Sequence, residues 1–197
     1  MASEISMDQV KKLRDKTGIS IMQCKKALEE TGGDEEKALL VLRKKGADVA
    51  AKKADRELTA GTVASYIHVN GAIGALVLLA SETDFVSNNA DFKALAYDIA
   101  MHVSAAKPEF IEASEIGDTE KAKATEFFQN EIQGKPAEMQ EKILEGKLAS
   151  YFSERVLMDQ PFIKNPDLTI RQLIENATQK FGEKIAVSEM SRISVSR

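Results

Sequence analysis

Ser81-Glu-Thr-Asp-Phe-Val86 is the one stretch of this 197-residue chain whose residue types and order call for more than packing. It follows the most apolar run of the sequence and precedes Ser87-Asn-Asn89, residues suited to capping a helix. Asp84 and Phe85 therefore fall on a tight strand-to-helix connection, where a rigid base presents side chains outward. Two readings stay open for each. Phe85 either folds back into the core or stands exposed, forgoing about 1.5–3 kcal/mol of burial unless a partner supplies a pocket. Asp84 either accepts backbone donors as a cap or reaches a cation, or its waters, on another molecule. Covalent and metal chemistry find little support. Cys24 is the only cysteine, so no internal disulfide or cysteine-rich zinc site can form, and it reads as a small buried hydrophobe. His68, near a strand end, and His102, on a helix, are too few for a multi-histidine metal centre, and each reads as a surface or partly buried histidine with a local partner. No nucleophile elbow, phosphate loop or His-Glu-x-x-His helix is present, and Gly61, Gly71 and Gly74 are turn and strand glycines. The expectation is a protein that is not an enzyme and carries no cofactor.

The elements that must position this connection are well punctuated. Ser6-Met-Asp-Gln9 and Ser20-Ile-Met-Gln23 fit capping boxes, and Asp34 can cap a third helix. Gly18, Gly32 and Gly46 follow the three segments as left-handed stops. Narrow apolar stripes (Val10 and Leu13; Cys24, Ala27 and Leu28; Ala38, Leu39 and Leu42) predict a small three-helix domain over residues 1–46. Residues 47–57 read as a solvated helical linker, and 58–197 as the second domain. From Gly61 the period becomes two: Val63, Ile67 and Val69 alternate, Asn70-Gly71 turns the chain, and Ala72 to Ala80 forms the mate. The apolar run from Ala75 to Ala80 predicts a strand covered on both faces. A last strand runs from Lys184 to Ser196 with Ile185, Val187, Ile193 and Val195 on one side. Between them lie a helix with the stripe Phe92, Leu95, Ala96, Ile99, Ala100 and Val103, helices over 118–133 and 136–156 parted by Gly134-Lys-Pro136, and a helix capped by Thr169 and stopped by Gly182. The fold class is α+β: three N-terminal helices, then a few-stranded, mainly antiparallel sheet packed with helices.

Charge narrows the partners. The net of -4 divides into +3 over residues 1–56 and -7 over the rest. The basic end has no aromatic before Tyr66, hence no platform for stacking bases. A weakly basic end on an acidic body argues against direct nucleic-acid binding and allows steering toward an acidic protein surface. The longest apolar run is too short to span a bilayer, and the N-terminus resembles neither a secretory signal nor a transit peptide. No membrane association and a reducing, cytoplasmic location are expected.

Leu13-Arg-Asp-Lys-Thr-Gly18 with Met22-Gln-Cys-Lys-Lys-Ala-Leu28, and then Glu82-Thr-Asp-Phe-Val86, resemble the two signatures of translation elongation factor Ts. Gly46-Ala, Ala50-Ala-Lys-Lys-Ala54, Ala100-Met-His-Val103 with Lys107-Pro108, Gln160-Pro-Phe162 and Lys180-Phe-Gly-Glu183 extend the likeness over nearly the whole chain. The resemblance implies a nucleotide-exchange factor for the GTPase elongation factor Tu, with a ubiquitin-associated-like N-terminal domain. It further implies that Phe85 wedges into a crevice near the GTPase's magnesium site, that Asp84 disturbs the ion's surroundings, and that Thr83 and Val86 fix their pose. Arg14, Ile21, Met22 and Lys53 match positions that dock on the GTPase. Read from the residues alone, Ile21 and Met22 are either such a surface or a staple closing the small domain. His68, in Tyr66-Ile-His68, and the Gly-bearing turn Phe181-Gly182, assigned as its neighbour, match contacts to the phosphate loop.

Departures from the pattern are few. Leu78, Ala80 and Ser81 stand where the family usually has Glu, Asn and Cys, and Ile19-Ser20 relaxes a small-residue turn. The length holds one half of the doubled core found in longer members. The resemblance then implies a homodimer, one subunit supplying Asp84-Phe85 and the other His68 to a single GTPase. The alternative function is an RNA- or ribosome-binding module built on the basic N-terminal helices.

Overall fold

The computed structural model describes residues 5–132 and 137–195. Three helices, α1 (Met7–Thr17), α2 (Ile21–Glu30) and α3 (Glu35–Lys52), open the chain. Ser6 and Gln9 complete a capping box on α1, and Gly18 closes it with φ 69°. On α2 only half the box forms: Ser20 Oγ caps the Gln23 N–H but donates to Gln23 Oε1, leaving no bond back to its own backbone. Val10, Leu13, Cys24, Ala27, Leu28, Ala38 and Leu42 make one small core, which also takes in Ile19. Ile19 precedes the cap Ser20 and lies beside Cys24, whose thiol donates to the Ile19 carbonyl at 3.7 Å. The staple of this domain is therefore Ile19 with Cys24, not Ile21 with Met22.

Gly46 does not stop the third helix. Its φ is not positive, and α3 runs on to Lys52. Ala47, Val49 and Ala50 sustain the helix, and Gly46 is buried where α3 crosses the penultimate element, α8 (Ile170–Phe181). A Cβ added there would lie 3.5–3.7 Å from Gln179, Asn176 and Glu175, which is ordinary van der Waals contact, so the crossing has room for a methyl group. The helix therefore carries the penalty of about 1 kcal/mol for an interior glycine.

β1 (Ala60–Ile67), β2 (Ile73–Ser81) and β5 (Ile185–Ser194) form an antiparallel sheet in the order β1-β2-β5. The short α4 (Asp84–Ser87) and the long α5 (Ala90–Ala106) follow β2. α5 covers one face of the sheet, burying Phe92, Ala96, Ile99 and Val103 against Val77 and Leu79. The opposite face is open, and this corrects two expectations. β2 is fully covered on one face only: Val77 and Leu79 are buried, while on the other face Leu76 is exposed and Leu78 half-buried, with cover reached only at Ala80. β5 does not keep its apolar residues on one side. The register passes from Leu79–Val187 to Leu78–Glu189, leaving Ser188 as an extra residue. That bulge reverses the alternation. Ile185 and Val187 point inward, Met190 packs on the core in their place, and Ile193 (73% exposed) and Val195 (80%) join Val63, Ile67 and Leu76 outside. Ile67, Ile73, Leu76 and Ile193 line an open apolar cleft of about 350 Å³ on that face.

α6 (Asp118–Ile132) and α7 (Ala137–Ser153) pack on each other. The expected Gly134-Lys-Pro136 break between them, like Ser196, lies outside the described residues. The pair β3 (Pro161–Phe162) and β4 (Asn165–Thr169) was not foreseen. It leads into the Thr169 capping box of α8. His102 corrects another expectation: it is fully buried, and its partners are distant in sequence. Its Nε2 meets Gln160 Oε1 at 2.9 Å and its Nδ1 accepts from the Ile163 N–H at 3.3 Å, which fixes the neutral form with the proton on Nε2. Burial holds its pKa below the ordinary value.

Candidate functional site

Where β2 and β5 end, at the paired residues Ser81 and Ile185, two carboxylates carry the connection further. The Lys184 backbone N–H donates to Glu82 Oε1 at 2.5 Å. In the other direction, the Thr83 N–H donates to Glu183 Oε2 at 3.0 Å and Thr83 Oγ1 to Glu183 Oε1 at 2.6 Å. Arg56 adds a guanidinium nitrogen 3.1 Å from both oxygens of Glu82. The bond from the Lys184 backbone, with the Arg56 charge behind it, holds the Glu82 carboxyl below its usual range. Thr59 Oγ1 donates to the Glu82 carbonyl, and Thr62 Oγ1 to the Ser87 carbonyl, so β1 and the residue before it brace both ends of the turn.

On this base sit the candidate residues. Val86 and Ser87 are buried and pin α4 to the sheet. Phe85 is 83% exposed, so it does not fold back into its own core. Asp84 is exposed, and its carboxylate has no partner among the described residues. It does not cap: only its backbone carbonyl is engaged, by Asn88 N and Ser87 Oγ. Thr83, the N-cap, makes no side-chain cap bond to α4, having given its hydroxyl to Glu183.

The other candidates divide. Ile21 (48% exposed) and Met22 (80%) stand in solvent at the start of α2, and Arg14 is exposed on α1. Lys53 is engaged within the chain, its ammonium donating to the Gly182 carbonyl at 2.6 Å. His68 is exposed at the β1–β2 turn, with Nδ1 3.1 Å from the Tyr66 hydroxyl. Tyr66 in turn packs edge-on against Tyr97. Phe181 and Gly182 are not its neighbours. The nine residues of β2 separate the two ends of the sheet by about 30 Å at about 3.4 Å per residue. Gly182, left-handed with φ 73°, lies at the Thr83 end, and Phe181 packs edge-on against Phe92, 5.9 Å between centroids. The structure thus brings Thr83, Asp84, Phe85, Val86, Lys53 and Gly182 together at one end and leaves His68 at the other.

Glu183, Lys184, Arg56 and Glu82 were missed as contributors. No local pattern announces a carboxylate that bonds a loop 100 residues away. Among the described residues no cluster of His, Cys, Asp and Glu is suited to a metal ion, and no helix is long and apolar enough to cross a membrane.

The family profile described as Elongation factor TS matches residues 41–197. Elongation factor Ts of Desulforamulus reducens is 47% identical over 192 residues, covering 96% of this chain and 88% of the relative. That of Heliobacterium modesticaldum is 45% identical over 193 residues, 97% and 90% of the two chains. That of Herpetosiphon aurantiacus is 44% identical over 193 residues, 97% and 98%. A match to most of the chain by the profile, and to nearly all of it by relatives of this identity, has one reading: the chain belongs to the elongation factor Ts family of translation elongation factors.

Proposed function

We propose that the chain is a guanine-nucleotide exchange factor that binds elongation factor Tu·GDP in the cytoplasm and promotes GDP release, so that GTP can rebind. One observation carries this reading: Phe85 stands in solvent beside a free Asp84 carboxylate, on a turn whose flanking residues Ser81 and Val86 are buried. A nucleotide held at nanomolar strength is bound by about 12 kcal/mol. The factor needs only to bind the nucleotide-free GTPase better than the loaded one, because that antagonism is reciprocal. Phe85 gains about 1.5–3 kcal/mol on entering an apolar crevice. Asp84 competes for the waters and donors that hold the GTPase's magnesium, whose loss unscreens the phosphates. The chain makes and breaks no covalent bond and needs no cofactor of its own. Arg14, Ile21 and Met22 supply the docking surface. Lys53 shapes the site from within, through Gly182, and its ammonium reaches a partner only by leaving that carbonyl.

The open sheet face supports a homodimer. A second copy laid on Val63, Ile67, Leu76, Ile193 and Val195 would cover β2 on both sides and place one subunit's His68 for use beside the other's Asp84-Phe85. The alternative of RNA binding draws little from the N-terminal surface, where Lys12 and Lys16 pair with Glu35, Lys25 with Glu29, and Lys45 with Glu30. The test is release of labelled GDP from elongation factor Tu in excess GTP, with the factor present in substoichiometric amount. Multiple turnovers per factor are expected; release at the unassisted rate refutes the proposal.

A further inference from the structure

We infer that Glu183 is a positioning residue for exchange: its carboxylate sets the direction in which Asp84 and Phe85 leave the sheet. The inference rests on the exchange reading and extends it to a residue whose carboxylate is turned onto Thr83 of its own chain. α4 is a single turn of four residues, too short to hold its own direction through helix cooperativity. Its aim is set by its anchors. At the far end these are the buried Val86 and the bond from Thr62 Oγ1 to the Ser87 carbonyl. At the near end the peptide N–H and the hydroxyl of Thr83 both donate to one carboxylate, that of Glu183. Two charge-assisted bonds to one residue fix its peptide plane and its side-chain rotamer together. Asp84 is the next residue and Phe85 the one after, so a rotation at Thr83 passes directly into both.

Glu183 is itself held. It follows Gly182, the left-handed cap of α8, whose carbonyl receives the Lys53 ammonium. It precedes Lys184, whose own ammonium donates to the carbonyls of Ala54 and Arg56 at 2.6 and 2.8 Å. The carboxylate is therefore mounted on the junction of α3, α8 and β5 rather than on a free loop. It belongs to neither apolar core, and its bonded partner, Thr83, is exposed, so its loss disturbs the aim of the turn far more than the packing beneath.

The experiment measures maximal GDP release and the half-saturating factor concentration for Glu183→Ala and Glu183→Gln, each with and without Phe85→Ala. Glu183→Ala is expected to lower the maximal rate about tenfold, with a smaller change in the half-saturating concentration and an unchanged melting temperature. Glu183→Gln, which keeps one acceptor oxygen, recovers part of the rate. In the Phe85→Ala background the loss of Glu183 costs less than in the wild type, because only Asp84 is left to aim. Wild-type exchange by Glu183→Ala alongside impaired Phe85→Ala overturns the inference and leaves the exchange reading standing. An equal loss in both backgrounds also overturns it, since Glu183 would then act elsewhere. Wild-type exchange by Phe85→Ala overturns both.

Discussion

At one end of the three-stranded sheet, β2 and β5 pass their last paired residues and are at once bridged by Glu82 and Glu183. At the other, β1 and β2 close through a turn over His68 to Gly71 whose side chains stand in solvent. The braced end presents an aromatic ring and a free carboxylate over buried Val86. The hairpin end presents His68 steadied by one hydroxyl, that of Tyr66. The difference matches two kinds of work. A side chain that must displace something needs a base that does not yield, whereas one that adds a contact can adjust to its partner.

If that contrast is right, Phe85→Ala has the largest effect of any single exchange variant, slowing stimulated GDP release about 10–100-fold with the melting temperature unchanged, as expected for a lost burial of about 1.5–3 kcal/mol. His68→Ala slows it less, by about threefold to tenfold. Equal losses at the two residues would erase the distinction between the ends. Leu76→Glu sharpens it further. A charge on the open face should halve the mass seen by light scattering, and its exchange loss should match that of His68→Ala rather than Phe85→Ala, because in the proposed dimer only the hairpin end comes from the second copy. An undiminished dimer would remove the sheet face as the interface.

Two smaller effects concern the supports of each end. His102 fastens α5 to the loop around Gln160 and Ile163 as a neutral ring. Its pKa is lowered in the fold, so the unfolded chain takes up a proton first as pH falls past the ordinary value of 6.5. Stability is therefore complete above that pH and declines below it until the folded form also protonates. Urea midpoints measured from pH 8 to pH 5 should show this loss, and His102→Gln should flatten it. Gly46→Ala has the smallest effect, a stabilisation of up to about 1 kcal/mol, since an added methyl makes ordinary contacts at the α3–α8 crossing. Destabilisation there would mean that the crossing has no room.

These same positions show where the sequence was legible. Caps and stripes were read well where the signal is local: Ser6, Asp34, Asn89, Thr169 and Gly182 all act as expected. Gly46 misled because a glycine that stops a helix and one carried inside it look alike when the residues that follow, Ala47 to Lys52, can also be helical. The bulge at Ser188 misled because one extra residue leaves the composition of a strand unchanged while reversing its faces. β2 read as covered on both sides because its apolar alternation had no polar partner. Its outer residues are apolar all the same, and the fold of one chain leaves Leu76 bare and Leu78 partly so. The position of Asp84 and Phe85 was legible from the strand before and the cap after. The bracing by Glu183 was not, being a contact across 100 residues with no periodicity to reveal it.

If Asp84 and Phe85 together loosen the grip of a partner GTPase on its nucleotide, losing both removes the stimulated release. Stopped-flow release of labelled GDP from elongation factor Tu, with saturating wild-type chain or the Asp84→Ala/Phe85→Ala variant, tests it most directly. The folded variant is expected to leave release near the unassisted rate. Release by that variant as fast as by wild type contradicts it.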